Sequence, residues 1–420
     1  MIYLLRIVAF LSFFVSSLTL VRPRSGWGRL GLFIPKLFAG TYIVLFSVLG
    51  GLAAVGGWLL YQDLLSLGLG LAAMAIGSRH VVRLVTRSRR VAQQIEARRT
   101  LQRGATGTML PQPWVGLWRE PPDTPCRRDV AIGRNPETGE EVLVDVWSLP
   151  RSVKPSGLGV VFLHGSGWHY ADKDFGTRRF FKHLAWQGHV IVDVAYSLAP
   201  AVDIFGMMGD VKRAIAWTKQ HSDELEVQND RVVVMGGSAG GHLALLAAYT
   251  VGSPRFDPPH LPTNTSVCAA VSYYGPTNLR AQFDQFRELP ALTGKRRLER
   301  AFMSYLEKRT GLEVIPVHSL LPSLMGGTPM EVPELYELAS PSNYASGSCP
   351  PTLLLQGGHD FGGAVPQVIA LHKSLLKAGA ISYLLELPDT EHGFDLYKPA
   401  WSPAAQAATY VTERFLASLL

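Results

Sequence analysis

The sequence predicts an α/β fold: a mostly parallel central sheet flanked by helices, with a helical insertion over 276–348 and an N-terminal transmembrane helical region. Three observations predict it. Short, β-branched apolar stretches alternate with helix-length segments from Val142 to Leu420. One alternation is compressed into Val232-Val233-Val234-Met235-Gly236-Gly237-Ser238-Ala239-Gly240-Gly241-His242-Leu243-Ala244, which reads as a strand, a tight turn centred on a serine, and a helix start. The third is a charge split. Residues 1–103 hold thirteen Lys or Arg against Asp63 and Glu96, a net of +11, so the remainder of this +7 chain of 420 residues stands at −4.

Taken in order, residues 1–21 are apolar except for Arg6 and long enough to anchor in a bilayer. A cleaved signal is the alternative, but no small-x-small site closes the run before Val21-Arg22-Pro23-Arg24. Residues 37–61 are nearly free of charge, and beyond Gln62-Asp63 a second apolar run reaches Gly77. This predicts a helical hairpin, whose second arm needs Val81 and Val82 to cross about 30 Å of hydrocarbon; a hairpin buried against protein is the alternative. Arg22, Arg24, Arg29 and Lys36 precede the hairpin and a dense arginine run follows it, while its turn holds only Asp63, which predicts both flanks, and the domain that follows, on the cytoplasmic side. The run 79–103 mixes apolar residues with arginines and reads either as a basic helix on the lipid surface or as a solvated helical linker. The basic balance therefore implies membrane lipid as a partner through residues 1–103, and no nucleic acid. Cys126, Cys268 and Cys349 are too few and too scattered for a disulfide framework or a zinc site.

Residues 104–130 are rich in Gly and Pro and read as a linker, which Trp114 and Trp118 pack onto the domain that follows. From 131 to 420 the pattern predicts one catalytic domain with strands over 142–146, 160–163, 190–194, 231–235, 267–272, 352–355 and 382–387. Helices are predicted over 209–220, 240–250, 364–377 and 404–420. The insertion 276–348 breaks the alternation with helical stretches near 279–288, 297–309 and 332–338, and is expected to wall a pocket above the strand ends. A domain of this size with a full strand set is expected to fold without residues 1–103.

Close packing of strand against helix around a serine turn leaves no room for side chains two residues either side, and Gly236 and Gly240 meet that need. A serine is a poor nucleophile alone and requires a base, a group to orient the base, and donors for an oxyanion. Asp360 and His392 each follow a predicted strand, in the order serine, acid, histidine. Asp389 and Asp395 compete with Asp360 for the orienting role. His164 and His242 read as structural and His359 as peripheral. No metal-ligand spacing or phosphate-binding loop is present, so no cofactor is expected.

Several segments carry a resemblance: His164-Gly165-Ser166-Gly167-Trp168 with Asp172-Lys173, Tyr196-Ser197-Leu198-Ala199-Pro200, Gly236 to His242, Ser340-Pro341 with Pro350-Pro351, and Glu391-His392-Gly393-Phe394. Over roughly 140–400 the chain resembles the α/β-hydrolase superfamily, in its branch of hormone-sensitive-lipase-like and ferulic-esterase-like (BD-FAE type) carboxylesterases. The resemblance implies Ser238 as nucleophile, His392 as base, Asp360 as acid, and oxyanion donors at Ser166, Gly167 and Ala239, with Gly165 a substitute. Ser166 departs from the central glycine of the oxyanion motif, and Gly237 from the aspartate of the lipase-like subgroup, which points toward the ferulic-esterase and kynurenine-formamidase-like side. The expectation is a membrane-anchored serine esterase acting on small-molecule or lipid esters. Formamidase or peptidase chemistry on the same residues is one alternative, and a silent ligand-binding or scaffold protein is another.

Overall fold

The computed structural model describes residues 1–98, 109–258, 261, 264–290 and 315–420. Its N-terminal layer is four helices: α1 (Ile2–Leu18), α2 (Gly26–Thr41), α3 (Ile43–Tyr61) and α4 (Leu64–Arg98). Helices α1, α3 and the first half of α4 form a bundle through small residues. A Cβ on Gly70 would lie 2.1 Å from the Gly50 carbonyl oxygen, so these backbones touch, as apolar helices do where large side chains give no advantage in packing. At the far end of the bundle Arg6 bridges Asp63 at 2.8 Å. Helices α3 and α4 are long and apolar enough to cross a membrane, and only 28% of either apolar window is buried, unlike the core helix of a soluble protein. The 19 residues of α3 span about 28 Å.

Two expectations are corrected here. The first arm of the hairpin begins at Ile43, because residues 37–41 belong to α2, whose Lys36 pairs with Glu391. The second arm does not end with the turn through Val81 and Val82 but continues without interruption to Arg98. One face of its basic half is buried against the domain: Leu84, Val91, Ala92 and Ile95 recur at helical spacing and lie in the core beneath one face of the sheet, with the arginines on the outer side. Burying each large apolar side chain of this kind contributes about 1.5–3 kcal/mol relative to exposure. Packing therefore crosses the sequence boundary at residue 103; residues 99–108, and with them the end of the basic run, lie outside the described residues.

Among the described residues the sheet has eight strands: β1 (Cys126–Arg134), β2 (Glu141–Trp147), β3 (Gly157–Leu163), β4 (Val190–Ala195), β5 (Val227–Gly237), β6 (Ala269–Tyr273), β7 (Thr352–Gly357) and β8 (Ser382–Leu387). Their order is β1-β2-β4-β3-β5-β6-β7-β8. β2 pairs antiparallel with both β1 and β4, and every pairing from β4 through β3 to β8 is parallel. Strands β3, β6 and β7 are buried at every residue, which is why they read as largely apolar runs. β1, by contrast, is an edge strand with exposed Arg127, Arg128 and Asp129, and the sequence pattern placed its first residues in the linker.

Helices α5 (Arg178–Ala185), α6 (Ile204–Gln220), α7 (Ala239–Tyr249), α8 (Leu279–Arg287), α9 (Val317–Met325), α10 (Pro333–Leu338), α11 (Val365–Lys377) and α12 (Pro403–Ala417) complete the described chain. Asp203 caps α6 and Ser402 caps α12 through side-chain oxygens on free N–H groups. Helix α9 was not expected, since Pro322 interrupts its sequence, and the helix expected near 297–309 lies outside the described residues. The candidate site residues follow the C-terminal ends of β3, β5, β7 and β8, where parallel strands release their loops on one side of the sheet.

Candidate active site

Ser238 joins β5 directly to α7 with φ 53° and ψ −118°, a left-handed backbone that a non-glycine residue adopts only where surroundings enforce it. Its neighbours enforce it by contact. A Cβ on Gly240 would lie 2.0 Å from the Leu163 carbonyl oxygen, and one on Gly236 would lie 2.4 Å from the Gly240 carbonyl carbon. Hydrogen bonds fix the turn further: the Ser238 N–H donates to the Tyr273 carbonyl at 2.8 Å, and the His242 N–H to the Ser238 carbonyl at 3.0 Å.

His392, on the loop after β8, stands with Nε2 2.9 Å from Ser238 Oγ and Nδ1 2.8 Å from Asp360 Oδ2. Asp360 follows β7 with its carboxylate wholly buried. Gln356 Nε2 donates to the same Oδ2 at 2.9 Å and the Gly362 N–H to Oδ1 at 2.8 Å, so both oxygens are held. A carboxylate fixed at Nδ1 favours the tautomer with its proton there, leaving the Nε2 lone pair toward the serine hydroxyl. Burial works against the His392 imidazolium, but Asp360, then Glu391 and Asp395, more than offset it and hold the imidazole above the ordinary histidine range.

Each rival acid has another occupation. Asp389 Oδ2 is gripped by Arg79 at 2.9 Å and Arg83 at 2.5 Å, which pins α4 to the loop after β8. Asp395 accepts from the Tyr274 hydroxyl, and burial pushes its carboxyl up to about 6. His164 stacks on Tyr196 at 4.4 Å, and His242 accepts from Trp168 Nε1 at Nδ1 while Nε2 donates to the Ala339 carbonyl. Burial lowers both to about 4, so they are neutral packing groups.

The loop after β3 passes over the serine: a Cβ on Gly165 would lie 3.3 Å from Ser238 Cβ. Ser166, Gly167 and Trp168 take φ values of 92°, 68° and 65° in succession. Ser166 Oγ donates to the Tyr170 carbonyl, and His169 joins the Gly167 carbonyl at 2.7 Å to Ser323 of α9 at 3.0 Å. Among the described residues the N–H groups of Ser166 and Gly167 donate to no protein acceptor. Ala239 is the first residue of α7, whose opening N–H groups lack intrahelical partners. Leu320 of α9 lies within 3.3 Å of a Cβ built on Gly167, so the insertion does reach the site.

Sequence reasoning missed Gln356, His169 and above all Lys36. Its ammonium, 1% exposed, lies 2.5 Å from Glu391 Oε1, beside His392 in the chain. A lysine inside the apolar run Ile34-Pro35-Lys36-Leu37-Phe38 was the available signal, and it was read only as a flanking charge.

The BD-FAE family matches residues 145–375. The chain is 30% identical to esterase LipQ of Mycobacterium tuberculosis over 61% of its own length and 55% of that protein's, and 31% identical to esterase LipC of the same organism over 67% and 63%. It thus spans less than two thirds of either relative. A bifunctional GH43-CE protein of Bacteroides eggerthii superposes with a TM-score of 0.51 at 20% identity, covering 64% of this chain and 35% of that one, a likeness of fold. The sheet order, the serine turn and the family match over more than half the chain lead to one statement: the chain belongs to the BD-FAE family, on an α/β-hydrolase fold.

Proposed function

We propose that the protein is a membrane-anchored serine hydrolase that cleaves carboxylic esters of apolar or lipid-like character. The observation that carries this reading is the continuous hydrogen-bonded line from Ser238 Oγ through His392 to a doubly held Asp360. Ser238 attacks the ester carbonyl carbon as His392 Nε2 takes its proton. The carbonyl oxygen becomes an oxyanion facing the N–H groups of Ser166, Gly167 and Ala239. His392 then gives the proton to the leaving alkoxide, the C–O bond breaks, and an acyl-Ser238 ester remains. Water, deprotonated by the same imidazole, releases the acid. The family's ester-hydrolase relatives support the reaction class.

Anchoring is supported by the exposed apolar faces of α3 and α4, and a cytoplasmic enzyme by Arg22, Arg24, Arg29, Arg79 and Arg83 at the enzyme end of the bundle, against an Arg6 neutralised by Asp63 at the other. Full-length protein in liposomes, assayed on p-nitrophenyl esters of increasing chain length beside Ser238→Ala, tests the whole reading. Turnover rising with chain length and abolished in Ser238→Ala is expected; turnover retained by Ser238→Ala would sink it, and a preference for acetate would remove the lipid-like substrate.

A further inference from the structure

The catalytic acid and the catalytic histidine stand on separate loops, and a third carboxylate joins them. Glu391 Oε2 accepts the N–H of Phe361 at 3.1 Å, tying the residue before His392 to the residue after Asp360. The carboxylate is 3% exposed, a position that requires a cation, and the cation is Lys36 of α2. The same helix reinforces the placement: Phe33 packs on Phe361 with ring centroids 4.5 Å apart, and Phe361 in turn lies 5.6 Å from the His392 ring. Just before it Arg22 donates to the Gly358 carbonyl at 2.7 Å, on the acid loop.

We propose that Lys36 is a positioning residue, holding through Glu391 the acid loop and the histidine loop in mutual register, so that the N-terminal helical layer completes the active site. The proposal rests on the assignment of Asp360 and His392 above. Without Lys36 the buried Glu391 takes a proton, and its bond to the Phe361 N–H weakens. Burial already pushes Glu391 up to about 7 with Lys36 opposing it. The charged groups facing Glu391 are Lys36, Asp360 and His392; those facing His392 are Asp360, Glu391 and Asp395, with the Tyr274 ring against it. His359 lies 3.3 Å from Lys36 Nζ and is itself faced by Asp389, Arg22 and His80; burial lowers it to about 4, so it adds no charge near neutrality.

The test uses full-length protein in detergent, with pH profiles of kcat and kcat/KM on p-nitrophenyl butyrate. Lys36→Met is expected to lose about 10- to 100-fold in kcat at nearly constant KM, the scale of a slight misplacement of catalytic groups. Its acid limb in kcat/KM moves to lower pH, because a neutral Glu391 no longer supports the imidazolium. Lys36→Arg keeps the charge and recovers part of both. Arg29→Ala removes contacts of the same helix to Gln285 and Glu288 that do not reach Glu391, and keeps the wild-type acid limb. The double variant Lys36→Met/Glu391→Gln carries no unpaired buried charge; it folds where the single variant does not and shows the same lowered limb and kcat. Wild-type kcat and acid limb in Lys36→Met, or in the double variant, overturn the proposal, as does an Arg29→Ala limb displaced as far as that of Lys36→Met. Failure of the triad itself reads out separately, as retained turnover in Ser238→Ala with Lys36 intact.

Discussion

Asp360 and Asp389 are both aspartates on loops that follow neighbouring strands, yet their environments give them different work. Asp360 is dry and holds the imidazole, whereas Asp389 meets arginines that are 49% and 39% exposed. Asp360→Asn is expected to lower kcat by about 10⁴-fold by presenting the wrong tautomer to Ser238. Asp389→Asn should stay within a few-fold, since exposed ion pairs contribute at most about 1 kcal/mol. Steady-state kinetics on one ester decides between them, and the reverse ranking would move the acid. The raised His392 fixes a pH dependence as well. The base must be neutral, so kcat/KM is expected to fall as pH drops through a value above the ordinary 6.5 of histidine; a limb below 6 contradicts the assignment. The meeting of Ser238, Asp360 and His392 was legible in the sequence because each follows a strand within its own short motif. Lys36 was not, because 355 residues separate it from Glu391 and only folding joins them.

Helix α4 has the clearest consequences among the elements. Its two halves were legible separately, as an apolar arm and a basic run, but their continuity was not, since composition changes sharply near Arg79 while helical spacing does not. Leu84, Val91 and Ile95 mark the docked face. Ile95→Ala is expected to cost about 2–5 kcal/mol through lost burial and the cavity left behind. Arg90→Ala on the outer side should change stability by no more than about 0.5 kcal/mol. Thermal unfolding of the purified protein in detergent measures both, and an Ile95→Ala transition indistinguishable from wild type would return the basic half of α4 to the lipid surface. Strand β1 and helix α9 escaped the sequence for local reasons: one is a polar edge, the other contains a proline.

At the scale of the molecule, the mostly parallel sheet was legible because its strands are apolar and alternate with helices, whereas the spatial order of the strands was not predicted. The relation of residues 1–98 to the enzyme was not legible, because charge and hydropathy distinguish the two regions while tertiary contacts join them. The domain after residue 103 was expected from the sequence to fold without residues 1–103; with α2 and α4 docked on the loops after β7 and β8 and on the core, a protein beginning at Gly104 is expected instead to aggregate or to lose ester hydrolysis, as size-exclusion chromatography and ester assays will register. The central claim is that Ser238 is the nucleophile of this enzyme, and its most direct test is mass spectrometry of full-length protein treated with a fluorophosphonate. The account requires one adduct per chain, on Ser238, formed in step with the loss of p-nitrophenyl butyrate hydrolysis and absent from Ser238→Ala. An adduct on another residue, or full hydrolysis with Ser238 modified, would contradict it.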